Sequence, residues 1–284
     1  MRENIEEILQ TENIEIKLLL EAIYLKYGYD FRNYTKAHLK RRIERKIGIL
    51  ELSSISKLQE EILYSKEKFI DLLHDLTINQ TEFFRRPSFY NVLRKEIIPI
   101  LKTYPSLNIW HAGCASGEEV YSLCIILKEE GLLKKSNIYA TDIDEKALKI
   151  AKKGQYSLDS IKLATLNYQK SGGLNSFSDY YSVKNDYAII KDEIKKKIVF
   201  ENHNLVTDKI FIDANLVLCR NVMIYFNKEL KSEVMNMFYE TLVHGGILGL
   251  GSQESLINEY KMKFESISEN ENIFKKSLGD YNEI

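Results

Sequence analysis

From Leu107 to Leu250 the chain repeats a single pattern: short apolar runs at Leu107 to Ala112, Ile138 to Thr141, Ile198 to Phe200, Leu216 to Cys219 and Ile247 to Leu250, with helical periodicity between them. The runs are near-continuously apolar, as strands buried on both faces require. Strands alternating with helices predict an α/β fold with a mostly parallel sheet flanked by helices. The first run leads directly into Ile109 to Ser122, Ile-Trp-His-Ala-Gly-Cys-Ala-Ser-Gly-Glu-Glu-Val-Tyr-Ser, where two glycines interrupt the chain before a helical pattern restarts. Gly113 and Gly117 permit a tight turn and close approach of a ligand, and the amides opening the next helix present a positive dipole end. Such a turn is a cofactor cradle in some proteins and a plain connection in others.

The second run ends in Thr141-Asp142-Ile143-Asp144, which places Asp142 at the carboxyl end of its strand, where open α/β sheets bind ligands. An acid there either accepts two ribose hydroxyls or caps the next helix. Residues 153 to 197 break the alternation: Ser171-Gly172-Gly173 reads as a loop, and Tyr180 to Val183, Lys184-Asn185-Asp186 and Tyr187 to Ile190 read as a hairpin. This inserted antiparallel element is either decoration or an edge that accepts an extended peptide. Beyond it, Asn202-His-Asn-Leu205 and the polar pair Arg220-Asn221 each follow a strand and converge on one rim. Tyr225 lies four residues further on in an apolar context that also suits simple packing. Leu230 to His244 is expected to be a helix closed by Gly245-Gly246, with Met262 to Ile267 and Ile273 to Ser277 as a terminal antiparallel pair.

The first 76 residues read as all-helical. Ile14 to Leu25 is dense enough in apolar residues for a buried helix, and Tyr27-Gly28-Tyr29-Asp30 stops it. In the following Lys36 to Lys46, Leu39, Ile43, Ile47 and Leu50 form the apolar stripe, while Arg41, Arg42, Arg45 and Lys46 fall largely off it. This basic helix is either a solvated outer face or the contact for an acidic partner. Ser56 with Gln59 resembles a capping box, and Phe69, Leu72, Leu73 and Leu76 repeat at helical spacing. Thr77 to Pro87 fits neither helix nor strand and joins domains or lines a site, after which Pro87 and Ser88 start a helix running through Leu101.

Composition narrows the function classes. With 44% hydrophobic and 29% charged residues the chain is an ordinary globular protein. Its length of 284 residues suits two unequal parts. Cys114, Cys124 and Cys219 lack paired metal spacing, and the five histidines are scattered, so neither a disulfide framework nor a metal is expected. No apolar run approaches the roughly 18 residues of a spanning helix, and a cytoplasmic location without membrane insertion is the expectation. The net charge of −1 argues against a nucleic-acid partner.

Four segments, in order, carry a resemblance: Asn79-Gln-Thr-Glu-Phe-Phe-Arg85, Ser116-Gly-Glu-Glu-Val-Tyr-Ser122, Ala140-Thr-Asp-Ile-Asp144 and Cys219-Arg-Asn-Val-Met-Ile-Tyr-Phe226. Together they resemble the CheR-type chemotaxis receptor methyltransferases along nearly the whole chain. The resemblance implies a Rossmann-like class I methyltransferase fold and transfer of a methyl group from S-adenosylmethionine to receptor glutamates, leaving S-adenosylhomocysteine. It implies a helical N-terminal domain over 1–76, a linker and helix over 77–103, and a cofactor-binding domain over 104–284 with a β subdomain inserted at about 156–197. It also implies cofactor contacts from Asn79, Thr81, Arg85, Glu118, Asp142, Asn204, Leu205, Arg220 and Asn221, with Arg85 and Tyr225 closest to the reacting centre. Lys40, Arg41, Arg42, Arg45 and Lys46 would then face acidic receptor helices, and the β subdomain a receptor tail peptide. Val120, where many members have proline, and the middle of Gly251-Ser-Gln-Glu254 depart from the common pattern. The rival readings are a non-catalytic receptor adaptor, a nucleic-acid methyltransferase and a dinucleotide dehydrogenase. Against the last two stand the missing Asn-Pro-Pro-Tyr type segment and the missing G-x-G-x-x-G.

Overall fold

The computed structural model describes residues 2–77, 81–268 and 270–277, and the chain divides into two compact units. Residues 1–78 with Tyr225–Lys231 make the first, and Asn79–Ile224 with Ser232–Ile284 the second.

The first unit is built on four helices: α1 (Arg2–Tyr27), α2 (Lys36–Ile49), α3 (Ile55–Tyr64) and α4 (Lys66–Leu76). Ile16, Leu19, Leu20 and Ile23 are buried at helical spacing on α1, and Phe69, Leu72, Leu73 and Leu76 on α4. α1 is longer than its apolar stretch suggests, because polar turns extend it on the N-terminal side. The α3 cap is Ser54, whose hydroxyl accepts from the Lys57 amide, and not Ser56, whose hydroxyl donates to Glu15. Extended backbone at Ser54 aims its oxygen at the first turn, which Ile55 opens as a buried residue.

On α2 the buried face is Leu39, Ile43 and Lys46, while Leu50 is exposed. Lys46 therefore leaves the outer basic face: its stem is buried and its ammonium sits 2.8 Å from Asp75. Lys40 is held by Glu12 at 2.6 Å. Arg41 and Arg45 are exposed one turn apart, with Lys36 exposed at the start of the helix and Arg42 half-buried beside them.

In the second unit, α5 (Pro87–Val92) and α6 (Ile98–Lys102) are joined by a π turn over Leu93–Ile97, so the expected single helix is interrupted. Then follow β1 (Leu107–Ala112), α7 (Glu118–Glu129), β2 (Ser136–Asp142), α8 (Glu145–Lys153), β3 (Gln155–Ser157), α9 (Leu158–Lys170), β4 (Tyr181–Lys184), β5 (Tyr187–Ile190) and α10 (Asp192–Lys195). The chain closes with β6 (Ile198–Asn202), β7 (Ala214–Cys219), α11 (Lys228–Thr241), β8 (Leu242–Leu250), β9 (Phe264–Ser266) and β10 (Ile273–Lys276). The main sheet has the order β6-β2-β1-β7-β8-β10-β9. Its first five strands pair in parallel, and β8–β10 and β10–β9 are antiparallel. From β1 the chain moves outward through β2 to β6 and then returns to the other side of β1 with β7. This reversal creates a topological switch point at the carboxyl ends of β1 and β7.

α11 stops at Thr241, three residues before the expected end, and Gly245-Gly246 lies inside β8. β8 advances from Leu242 to Ile247 while β7 advances only from Ala214 to Leu216, and the glycines absorb this irregularity. The inserted sheet has the order β3-β5-β4, and its hairpin turns through Asn185 and Asp186, both with positive φ. Among the described residues no helix is long and apolar enough to cross a membrane.

Candidate active site

Backbone geometry at the end of β1 makes a cradle. Gly113 and Gly117 have φ of 74° and 92°, and a Cβ on Gly113 would lie 2.3 Å from Val222 Cγ2. Only glycine fits there without displacing the loop after β7. The amides of Gly113 and Cys114 donate to the Thr141 carbonyl, which locks the turn to the end of β2.

Two carboxylates border the turn. Asp142 is buried and accepts from the amides of Ala115, at 2.7 Å, and Asp144, at 2.9 Å. A carboxylate has room for about four hydrogen bonds, so it keeps capacity for ligand hydroxyls. Burial pushes its pKa up to about 6 against the pull of those amides. The capping role that Asp142 shares as a possibility belongs to Asp144, which accepts from the Lys146 and Ala147 amides at the start of α8. Glu118, in the first turn of α7, is pushed up by burial to about 7, with the Ser116 hydroxyl, 2.7 Å away, acting in the other direction.

Arg85 rides on a constrained turn. Its neighbours Phe84 and Arg86 have φ of 51° and 60°, a left-handed region that such side chains rarely enter. The conformation is held from outside: Phe83 and Phe84 are buried, the Phe84 amide donates to Ser122 Oγ at 2.9 Å, and the Phe83 carbonyl accepts from Asn167. The Phe84 ring meets Tyr90, Tyr168 and Phe177 edge-on. The half-buried Arg85 side chain is thus presented by a backbone with little freedom.

Arg220, expected among the cofactor contacts, is buried at the end of β7. Its guanidinium points inward, 2.6 Å from Glu119 and stacked 4.0 Å over the Phe89 ring, with Nη2 donating to the Arg85 carbonyl. What Arg220 can offer a ligand is its backbone, because the charge is already spent on Glu119. Burial would raise the Glu119 carboxyl, but the charge of Arg220 and the adjacent His111 bring it down to about 2. Asn221 follows with φ of 64°, and its amide, with those of Val222, Met223 and Gly251, donates to the Glu254 carboxylate. One buried carboxylate thereby shapes the whole loop after β7. The sequence reading missed Glu119 and Glu254 as site builders.

Of the other expected residues, Thr81 opens the described part of the Arg85 segment, while Asn79 lies outside the described residues. Asn204 folds the loop after β6 by accepting from the Val206 amide, and Leu205 is buried next to it. These residues all belong to the second unit, along with Glu118, Asp142 and Asn221. Tyr225 and Lys40, Arg41, Arg42, Arg45 and Lys46 belong to the first.

A doubly wound sheet with a glycine cradle after β1 and a buried acid ending β2 defines an enzyme domain that binds a nucleoside cofactor at its switch point. Comparison with known proteins specifies it. Residues 79–273 match the family model "CheR methyltransferase, SAM binding domain", and residues 14–77 match "CheR methyltransferase, all-alpha domain". A Pseudomonas putida protein named Cher3 is 45% identical over 266 residues, covering 93% of this chain and 97% of its own. A Listeria innocua protein named chemotaxis protein methyltransferase is 34% identical over 237 residues, 81% of this chain and 86% of that one. A protein of the same name from Borreliella burgdorferi is 28% identical over 267 residues, 88% and 91% of the two chains. The chain belongs to the CheR methyltransferase family and is an S-adenosylmethionine-dependent methyltransferase.

The raised carboxyls give a pH signature. In the free protein, each destabilises the fold as pH rises from its unfolded value through about 6 for Asp142 and about 7 for Glu118. Hydroxyl donors or a cation placed against them favour the ionised form. Cofactor binding should therefore release protons, and affinity should fall as pH drops from 7.5 to 5.5. Calorimetry in buffers of different ionisation enthalpy measures the release, which Asp142→Asn should reduce. An affinity independent of pH across that range contradicts the assignment.

Proposed function

We propose that the chain methylates glutamate side chains on the cytoplasmic helices of chemoreceptors, forming methyl esters in chemotactic adaptation, and that it works in the cytoplasm. The observation that carries this reading is the anchored Arg85 turn, tied through Ser122 and Arg220 to the cofactor-cradle elements of a chain matching both CheR models. The relatives named chemotaxis protein methyltransferases support the same process.

S-adenosylmethionine held in the cradle would supply a methyl carbon on a sulfonium, whose C–S electron pair would return to sulfur as the acceptor oxygen formed the new C–O bond. A glutamate with an ordinary pKa near 4.3 is already anionic at neutral pH, so the protein needs no base. Its residues have to align the carboxylate and strip its water. Gly113, Gly117, Glu118, Asp142, Asn204, Leu205 and Asn221 hold the cofactor in this reading, with Asn79 and Thr81 completing its contacts. Arg85 and Tyr225 orient donor and acceptor.

Acidic receptor helices meet the exposed Arg41 and Arg45 of α2, whose complementary potential speeds encounter and weakens with salt. The outer edge of β4, the last strand in the order β3-β5-β4, is where a receptor tail peptide would add. The test is incubation with methyl-labelled S-adenosylmethionine and receptor cytoplasmic fragments, followed by mild base. Label should appear on receptor and leave as methanol, whereas base-stable label rules out an ester. In the same assay Arg41→Glu with Arg45→Glu should depress receptor methylation and leave cofactor affinity intact.

A further inference from the structure

We propose that His38 is a positioning residue for Tyr225, fixing the ring plane of the tyrosine beside the reacting carboxylate; this rests on the role assigned to Tyr225 above. The backbone around Tyr225 is clasped by residues 33–35. Tyr34 and Phe226 form an antiparallel bridge, the Thr35 amide donates to the Tyr225 carbonyl at 2.8 Å, and the Asn227 amide donates to the Asn33 carbonyl at 2.9 Å. The Tyr34 ring meets Phe226 edge-on at 4.9 Å, which secures the residue next to Tyr225 as well. With the main chain held on both sides, the orientation of the Tyr225 ring depends on the groups packed against it, of which His38 is one.

His38 packs directly against that ring. It stands in the first turn of α2, and its ring centroid lies 4.5 Å from that of Tyr225 at an interplanar angle of 30°, a tilted stack. Its own ring is fixed at the other end, where Nε2 lies 3.2 Å from the Leu76 carbonyl that ends α4. The Leu76 carbonyl can only accept, so His38 carries a hydrogen on Nε2. Burial lowers the pKa of His38 against the opposing pull of the Leu76 carbonyl, with Arg42 and Arg41 adding to the lowering, which favours the uncharged ring against tyrosine. A short chain of fixed groups thus runs from the α4 carboxyl end through His38 to Tyr225. The same helix α2 carries Arg41 and Arg45, so one rigid element both attracts an acidic acceptor and sets the tyrosine.

A packing role and a positioning role differ in what they move. In the receptor methylation assay, His38→Ala should lower kcat about tenfold, in line with the cost of small misplacements near a reacting centre, while KM for cofactor stays constant. His38→Phe, which keeps a flat ring, should recover most of the loss. In a Tyr225→Ala background, His38→Ala should change kcat less than twofold, because its effect is transmitted by the missing ring. Independently of turnover, the imidazole proton resonances of His38 should shift in Tyr225→Ala. Unchanged kcat in His38→Ala with an impaired Tyr225→Ala, multiplied losses in the double variant, or unmoved resonances each refute the positioning role alone. Full turnover in Tyr225→Ala instead removes the role of Tyr225 and this inference with it.

Discussion

Glu119→Gln should lower the stability of the cofactor-binding unit by about 3–5 kcal/mol, the usual cost of removing one partner from a buried ion pair. Arg220 would keep its charge in the core with only a neutral amide in place of the carboxylate 2.6 Å from Nη1. Trp110 is the sole tryptophan, lies in β1 and is fully buried, so its fluorescence reports this unit during urea unfolding. The midpoint should fall sharply. Replacing both partners, Glu119→Leu with Arg220→Met, should cost less than the single change, since no unpaired charge is left. The pair also has a pH signature: Glu119 is held at about 2 when folded, so its contribution is complete above the ordinary glutamate range and disappears as pH falls toward 2. Equal midpoints for wild type and Glu119→Gln would mean the pair does not brace the fold.

That pair also shows where local sequence stops being informative. Glu119 and Arg220 are 101 positions apart, and Glu254 lies more than 30 positions from the three consecutive amides it collects. Neither link leaves a periodicity or a spacing signal. The strand runs were readable because strands buried on both faces admit only apolar residues, and β1 occupies Leu107–Ala112 as its composition requires. β2 gains residues at both ends because its register with β1 begins at Ser136, a pairing that propensity does not encode.

The glycine turn was legible for a related reason. Gly113 needs a positive φ and has Val222 where a Cβ would stand, and the residue type alone announces such freedom. The turn around Arg85 announced nothing, because Phe84 and Arg86 take left-handed conformations only when buried rings and distant hydrogen bonds hold them there. On α2 the charge was visible in the sequence, but the partners that pair with Lys40 and draw Lys46 inward, Glu12 and Asp75, are on other helices. Just beyond α11 the apolar Leu242 and Val243 suit a helix as well as a strand, and pairing of Leu242 with Ala214 decides for the strand.

Arg85→Ala should reduce kcat by roughly 10²–10³-fold, the range seen when a preorganised group that stabilises charge at a reacting centre is removed. It should also weaken cofactor binding, since the same side chain is assigned to orient donor and acceptor. The turn itself is held by the buried Phe83 and Phe84 and by the Ser122 hydroxyl, so the fold should survive the substitution. Arg85→Lys should recover little: an ammonium on a flexible stem cannot reproduce a planar fork of donors. Three measurements on the same protein separate the possibilities: Trp110 unfolding, calorimetric affinity for cofactor, and turnover on receptor fragments. A lowered midpoint would make Arg85 a structural residue. Full turnover with normal affinity would remove it from the reaction, and the strained backbone of Phe84 and Arg86 would then be presenting a side chain that the chemistry does not use.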